Sequence, residues 1–254
     1  MRNLNYRQAI SKTGVGEGKL IRRTAHEDQY AHIKLAVEPL GESEGTVFAK
    51  QVTEHNAIPE KFLSHIEMAC LNAVQNGLWG FPLADVRIRI LDGSYHDIDS
   101  SKAAFEEATR MAIVDAMLAS SPHVLEPCLT WTVRVPEKYL PNVVQDINAR
   151  RALILRIVPG PRTTAVFSVP EGETLDYIST LASLSGGCGI LSIGSRRIFR
   201  ELPDSLIVDR FCTLCMREMR IPLIRGEAFS NNCLICGTPF GPPDLDTEVG
   251  VLSR

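Results

Sequence analysis

Apolar and polar residues alternate with a period of two over Lys19–Arg23 and again over Tyr30–Val37, with the polar stretch Thr24-Ala25-His26-Glu27-Asp28 between them. That pattern predicts an extended hairpin within residues 1–40. Past Pro59, a residue suited to a first helical turn, the rhythm changes to helical spacing. Phe62, Ile66, Ala69, Ala73 and Val74 share one face, and Gly77 should end the helix. Ala84–Leu91 (ADVRIRIL) alternates cleanly and predicts a strand that runs into the polar loop Asp92–Asp97. A second helix begins after Asp99 or Ser100, both good caps, and extends to about Ser120 with Ala104, Ala108, Met111, Ala112 and Ala116 on its apolar face. These elements predict one α+β domain over residues 1–125.

A second unit, residues 126–203, opens near Glu126-Pro127. Leu129–Val135, Ala152–Val158, Thr163–Val169 and Gly189–Arg197 read as strands, and Leu140–Arg150 and Leu175–Leu184 as helices. The order β-α-β-β-α-β is the split-βαβ, or ferredoxin-like, signature. Residues 204–240 hold a cysteine cluster, and the Pro- and acid-rich residues 241–254 read as a flexible tail.

Composition narrows the function classes. The chain has 254 residues, 44% hydrophobic and 22% charged, as expected of globular domains. Lys+Arg number 27 against 30 Asp+Glu, a net charge of −3, so nucleic-acid binding through bulk positive charge is excluded and any RNA contact must be local. No run of 18 apolar residues exists, so no spanning helix is expected. The start, MRNLNYRQAI, lacks a signal-peptide pattern, and the cytosol is the expected compartment.

Four of the seven cysteines crowd into one stretch: Cys212-x-x-Cys215, seventeen residues, then Cys233-x-x-Cys236. Each such turn can offer two thiolates to one tetrahedral ion, which points to structural zinc in a zinc-ribbon-like lobe. Four thiolates leave no open coordination position, so a zinc hydrolase is the weakest reading. A decoy lies near the start. Gly14-Val15-Gly16-Glu17-Gly18-Lys19-Leu20 looks like a phosphate loop, yet Thr13 and Leu20 stand where glycine and Ser/Thr are required. A glycine-rich hairpin entry is expected instead, with no nucleotide bound and no GTP hydrolysis by this chain. His96, beside Tyr95 and two aspartates, has no nucleophile in a recognisable setting, and Ser100 and Ser101 read as helix caps. Basic pairs occur at Arg22-Arg23, Arg150-Arg151 and Arg196-Arg197 with Arg200, each expected to be a solvated surface pair or part of a phosphate-contacting patch.

The run Gly77–Phe105 contains G-x-x-G-x-P-x-x-D-V followed by GSYHDIDSS and an Ala-rich helix, and it resembles domain IV of bacterial elongation factor G. Gln29-Tyr30, Val37-Glu38-Pro39, Ile58-Pro59 and Leu125-Glu126-Pro127 extend the likeness. Pro136-Glu137-x-Tyr139, Asp146-Ile-Asn-x-Arg150-Arg151, Val169-Pro170 and Tyr177–Ser183 carry it into domain V, so that it spans about residues 5–195. The resemblance implies a domain like the second domain of ribosomal protein S5, then a ferredoxin-like domain. It implies that Gly93, Ser94, Tyr95, His96 and Asp97 form a tip loop directed at the decoding region of the ribosome, with Thr24–Asp28 as a neighbouring loop. Arg22, Arg23, Arg150 and Arg151 are the candidate rRNA contacts.

The departures bear on function. The family's paired glycines in the first tip loop are replaced by Thr24-Ala25-His26-Glu27-Asp28, which adds two carboxylates, a penalty of up to ~1 kcal/mol per nearby phosphate. The family's L-R-S-x-T-x-G-R stretch becomes Leu181–Cys188 without its arginines, and the cysteine cluster stands where a closing helix is usual. The expectation is a ribosome-directed, GTP-independent relative acting at the factor site, as a modulator or as one half of a split factor whose GTPase is a separate chain. The alternative is a non-ribosomal, zinc-stabilised module that binds protein or RNA.

Overall fold

The computed structural model describes residues 5–23, 28–49, 58–214, 216–224, 227–228, 230–235 and 237–240. Alternation of apolar and polar side chains builds the first sheet. β2 (Gly14–Arg22) and β3 (Gln29–Pro39) pair antiparallel from Gly14↔Val37 to Arg22↔Gln29, which is the expected hairpin. β3 then pairs antiparallel with β5 (Val86–Ser94), and β4 (Thr46–Ala49) runs parallel to β5, giving the order β2-β3-β5-β4. Ala31, Ile33, Leu35 and Val37 of β3 and Val86, Ile88 and Ile90 of β5 point into the core.

Two helices complete this domain. α1 (Glu60–Asn76) follows Pro59, buries Phe62, Ile66, Cys70 and Val74, and stops at Gly77, whose φ of 56° suits glycine. The buried stripe therefore runs through Cys70 and not, as expected, through Ala69 and Ala73. α2 (Lys102–Ala119) is capped by Ser101, whose hydroxyl accepts the Ala104 N–H at 3.1 Å. Met111, expected on the apolar face, is exposed, while Phe105, Ile113 and Met117 are buried. The Phe62 and Phe105 rings stack at 4.6 Å and join the helices.

The glycine-rich decoy is a strand, and its glycines serve packing. Gly14, Gly16 and Gly18 alternate on the face of β2 against α2, where a Cβ would lie 2.0 Å from Ala116 O, 2.1 Å from Ala112 O and 1.9 Å from Ala108 O. Missing side chains on the strand and alanines at i, i+4 and i+8 on the helix let the two backbones touch. No phosphate loop exists there.

The second domain matches its expected order. β6 (Pro122–Val135), α3 (Leu140–Ala149), β7 (Leu153–Val158), β8 (Thr163–Pro170), α4 (Tyr177–Leu184) and β9 (Ile190–Glu201) form an antiparallel sheet in the order β9-β6-β8-β7. This is the ferredoxin-like arrangement. β1 (Arg7–Ile10), which the sequence pattern did not reveal, adds to the same sheet beside β6. The core comprises Trp131, Val133 and Val135, Ala165, Phe167 and Val169, Val143 and Ile147, and Tyr177 and Leu181.

Beyond Pro203, β10 (Ile207–Cys212), β11 (Arg217–Ile224) and β12 (Glu227–Ala228) make a three-stranded sheet. By contacts the chain divides into two units. One comprises Arg7–Val124, Asp209–Ile221 and the residues from Ser230; the other comprises Leu125–Val208 and Pro222–Phe229 with Tyr6. No helix among the described residues is long and apolar enough to cross a membrane.

Candidate nucleic-acid interface

The expected tip segment, Gly93–Asp97, divides between strand and loop. Gly93 and Ser94 belong to β5, paired with Ile33 and His32, because the ladder resumes after a bulge at Lys34/Leu35. Gly93 is required there: a Cβ would lie 2.3 Å from Ile58 Cδ1 and 2.9 Å from the His32 carbonyl oxygen. The loop proper is Tyr95–Asp99, and Tyr30 of β3 holds it. The Tyr30 N–H donates to the Asp99 carbonyl at 2.8 Å, and Ser100 Oγ donates to the Tyr30 carbonyl at 2.7 Å while accepting the His96 N–H at 2.9 Å. The Ser100 N–H donates to the His96 carbonyl at 3.1 Å. Ser100 is therefore a loop clasp, and Ser101 alone caps the helix.

Side chains finish the clasp. The His96 ring rests on the Tyr30 ring at 4.2 Å, and its Nδ1 lies 3.5 Å from Asp99 Oδ2. Tyr30 Oη and Ser94 Oγ are 2.8 Å apart, and His32 spans Ser94 Oγ at 3.3 Å and Glu17 Oε1 at 2.7 Å. The loop thus presents exposed His96 and Asp97 with Ile98, which is 95% exposed. The His96 ring thus meets Tyr30 and Asp99, while its backbone N–H meets Ser100. Sequence reasoning missed His32, for which no partner pattern was apparent, because Glu17 and Ser94 reach it only across the sheet. His65, likewise without a pattern, meets Glu106 at 2.9 Å. The neighbouring turn at Thr24–Asp28 lies, but for Asp28, outside the described residues.

The arginine candidates fall into two groups. Arg22 at the end of β2 and Arg23 just beyond it are exposed beside that turn. Arg150 and Arg151 are not a free surface pair. Arg150 donates to Asp146 Oδ2 at 2.8 Å and to the carbonyls of Glu173 and Leu175 at 2.9 and 3.2 Å, and its guanidinium lies 5.1 Å from the Tyr177 ring centre. Arg151 forms a bidentate pair with Glu126 at 3.0 and 2.9 Å. Arg200 donates to the same Glu126 at 3.2 and 2.8 Å, and Arg197 pairs with Glu171 at 2.8 Å. Burial works against the Arg151 charge, but hydrogen bonding and attraction from Glu126, with Glu173 adding, outweigh it and raise its pKa. The same site pushes Tyr6 up, through burial first and the Glu126 charge second. These arginines hold the domain together, as a buried carboxylate demands.

Of the cysteine cluster, Cys212 and Cys233 are each 2% exposed, while Cys215 and Cys236 lie outside the described residues.

An α+β domain with a clasped polar loop at the end of its sheet, followed by a ferredoxin-like domain, defines a module of the translation elongation factor class. Residues 3–121 match the family described as Elongation factor G, domain IV, and residues 123–205 match Elongation factor G C-terminus, so this part of the chain belongs to the elongation factor G family. Elongation factor G of Aquifex pyrophilus is 39% identical over 186 residues, covering 72% of this chain and 26% of that protein. The Thermotoga maritima factor is 40% identical over 185 residues, covering 72% and 27%, and that of Dehalococcoides mccartyi 34% over 203 residues, covering 79% and 29%. A crystal structure of a Thermus thermophilus protein superposes with a TM-score of 0.66 and 32% identity, over 80% of this chain and 30% of that one. The chain thus spans under a third of the length of the relatives it matches. Both family matches end before Cys212.

Proposed function

We propose that this chain acts at the ribosomal factor site as an elongation factor G-like protein whose own residues require no GTP, with loop Tyr95–Asp99 as its leading tip. The single observation that carries this reading is the clasp: Tyr30 and Ser100 hold the loop in one conformation, so His96 and Ile98 are presented pre-ordered. A pre-ordered loop loses little conformational freedom on docking. Membership of the elongation factor G family supports the ribosome as the partner. Arg22 and Arg23 are the phosphate contacts in this reading. Arg150 and Arg151 support the scaffold, which lowers the share of affinity that comes from charge. The protein modulates elongation, or supplies one half of a split factor whose GTPase is a separate chain.

Co-sedimentation of the purified chain with ribosomes, without GTP and across a salt series, tests this. Saturable pelleting that declines with salt, competes with intact elongation factor G and weakens in His96→Ala is the expected result. Absence of pelleting at low salt refutes ribosome binding by this chain alone and turns attention to the non-ribosomal module.

A further inference from the structure

Each C-x-x-C stretch is followed by a residue with a left-handed backbone. β10 ends at Cys212 and β11 begins at Arg217, two strands that are neighbours in one sheet, with Thr213, Leu214 and Met216 in the turn between them. Met216, the residue after the first pair, has a φ of 52°, a left-handed conformation that side chains with a Cβ resist. In the second turn Gly237, the residue after the pair, has a φ of 76°. Its N–H donates to the Cys233 carbonyl at 2.9 Å, and the Cys233 N–H donates to the Thr238 carbonyl at 2.8 Å. Asn232 and Pro239 bridge the base of this turn.

Burial separates the cysteines from their neighbours. Cys212 and Cys233 are 2% exposed, whereas Leu214 and Ile235, inside the same turns, are 69% and 40% exposed. Among the described residues after Leu206, the buried side chains are Cys212, Met219, Ile221, Pro222 and Cys233. Two of those five are thiols. A segment this short needs a staple beyond its apolar core.

We propose that Cys212, Cys215, Cys233 and Cys236 hold one zinc ion as a closed tetrathiolate. Thiolates at this spacing suit zinc, and full coordination makes the site structural. The ion also fixes how this segment meets the first domain. Leu234 lies against Gly80, where a Cβ would come within 2.4 Å of Leu234 Cβ, and Arg220 of β11 stands 5.5 Å from the Trp79 ring centre. Leu214 and Ile235 wall one part of a cleft of about 780 Å³ that α1 and α2 otherwise line. Zinc therefore positions the cleft wall as well as the sheet.

The test uses the full chain purified under reducing conditions. Elemental analysis should give one zinc per chain, and exchange for cobalt should give the absorption of a tetrahedral tetrathiolate. Cys212→Ser and Cys233→Ser should each lose the metal at least tenfold more readily. A thiol count on the wild-type protein keeps the test independent of variant folding: a chelator should expose four additional reactive thiols. Hydrogen exchange after chelation should rise in β10 and β11 while residues 5–195 stay protected. A metal-free chain with β10 and β11 already protected overturns the proposal. So does an iron spectrum, or metal retained by both variants, or four clustered thiols that react before chelation.

Discussion

Glu126→Ala should be the most damaging single truncation in the second domain. The Glu126 side chain is 1% exposed and accepts two bonds from Arg151, at 3.0 and 2.9 Å, and two from Arg200, at 3.2 and 2.8 Å. After truncation Arg151 keeps Glu173, 3.5 Å from its Nε, whereas Arg200 keeps the Arg151 carbonyl at 3.0 Å. Removing one partner of a buried ion pair costs ~3–5 kcal/mol because the remaining charge stays desolvated. Arg151 and Arg200 retain 26% and 24% of their side-chain exposure, which places the expected loss near the lower figure, about 3 kcal/mol. With a urea dependence of ~1–3 kcal/mol per molar, the midpoint should fall by about 1–3 M. Trp131, buried in this core, reports the transition in a Trp79→Phe background. Glu126→Gln, which keeps an acceptor oxygen, should fall between the two proteins. A midpoint shift for Glu126→Ala below about 0.3 M would refute the claim that this carboxylate organises the domain.

Two further outcomes follow from the first domain. Gly16→Val should destabilise it by ~1–3 kcal/mol, towards the upper end because the atoms in the way are α2 backbone, while Val15→Thr on the exposed face of the same strand should stay within about 0.5 kcal/mol; equal effects in urea titrations would overturn the packing argument. Burial, with the Glu67 charge adding, pushes the Cys70 thiol up to about 12 from 9.0. The unfolded chain gives up this proton first, so stability is intact below pH 9 and falls at about 1.4 kcal/mol per pH unit as pH rises towards 12. Cys70→Ala should flatten that decline, and parallel stability curves for the two proteins would exclude the thiol as its source.

The scaffold was legible where a pattern reflects one face of one element. The hairpin, both long helices and the β-α-β-β-α-β order follow from alternation and helical spacing. β1 and β4 were not legible, because each has four residues and is held by pairing to a distant strand. The glycine run shows the limit of a motif: Gly14, Gly16 and Gly18 have the composition of a phosphate loop but the period of a strand, and only the alanines of α2 explain them. Charge pairs were misleading for a related reason. Arg200 meets Glu126 across 74 residues, and nothing beside Arg150-Arg151 marks Glu126 or Glu173 as a partner. The loop block GSYHDIDSS was legible as a unit, but the split between strand and loop at Ser94 depends on a bulge that leaves no signature.

The clasp also fixes the route by which force leaves the loop. Tyr30 takes the Asp99 carbonyl through its N–H and the Ser100 hydroxyl through its carbonyl, so a push on His96 or Ile98 enters β3 through two short bonds. From there the β3–β5 ladder, paired from His32↔Ser94 to Pro39↔Val86, carries the load in shear along the strands. The β2–β3 ladder offers a second parallel path. Many backbone bonds then bear a strain together instead of one after another. The end of this domain is accordingly built as a stiff strut, with α2 bracing the sheet from the side and the loop resting on β3.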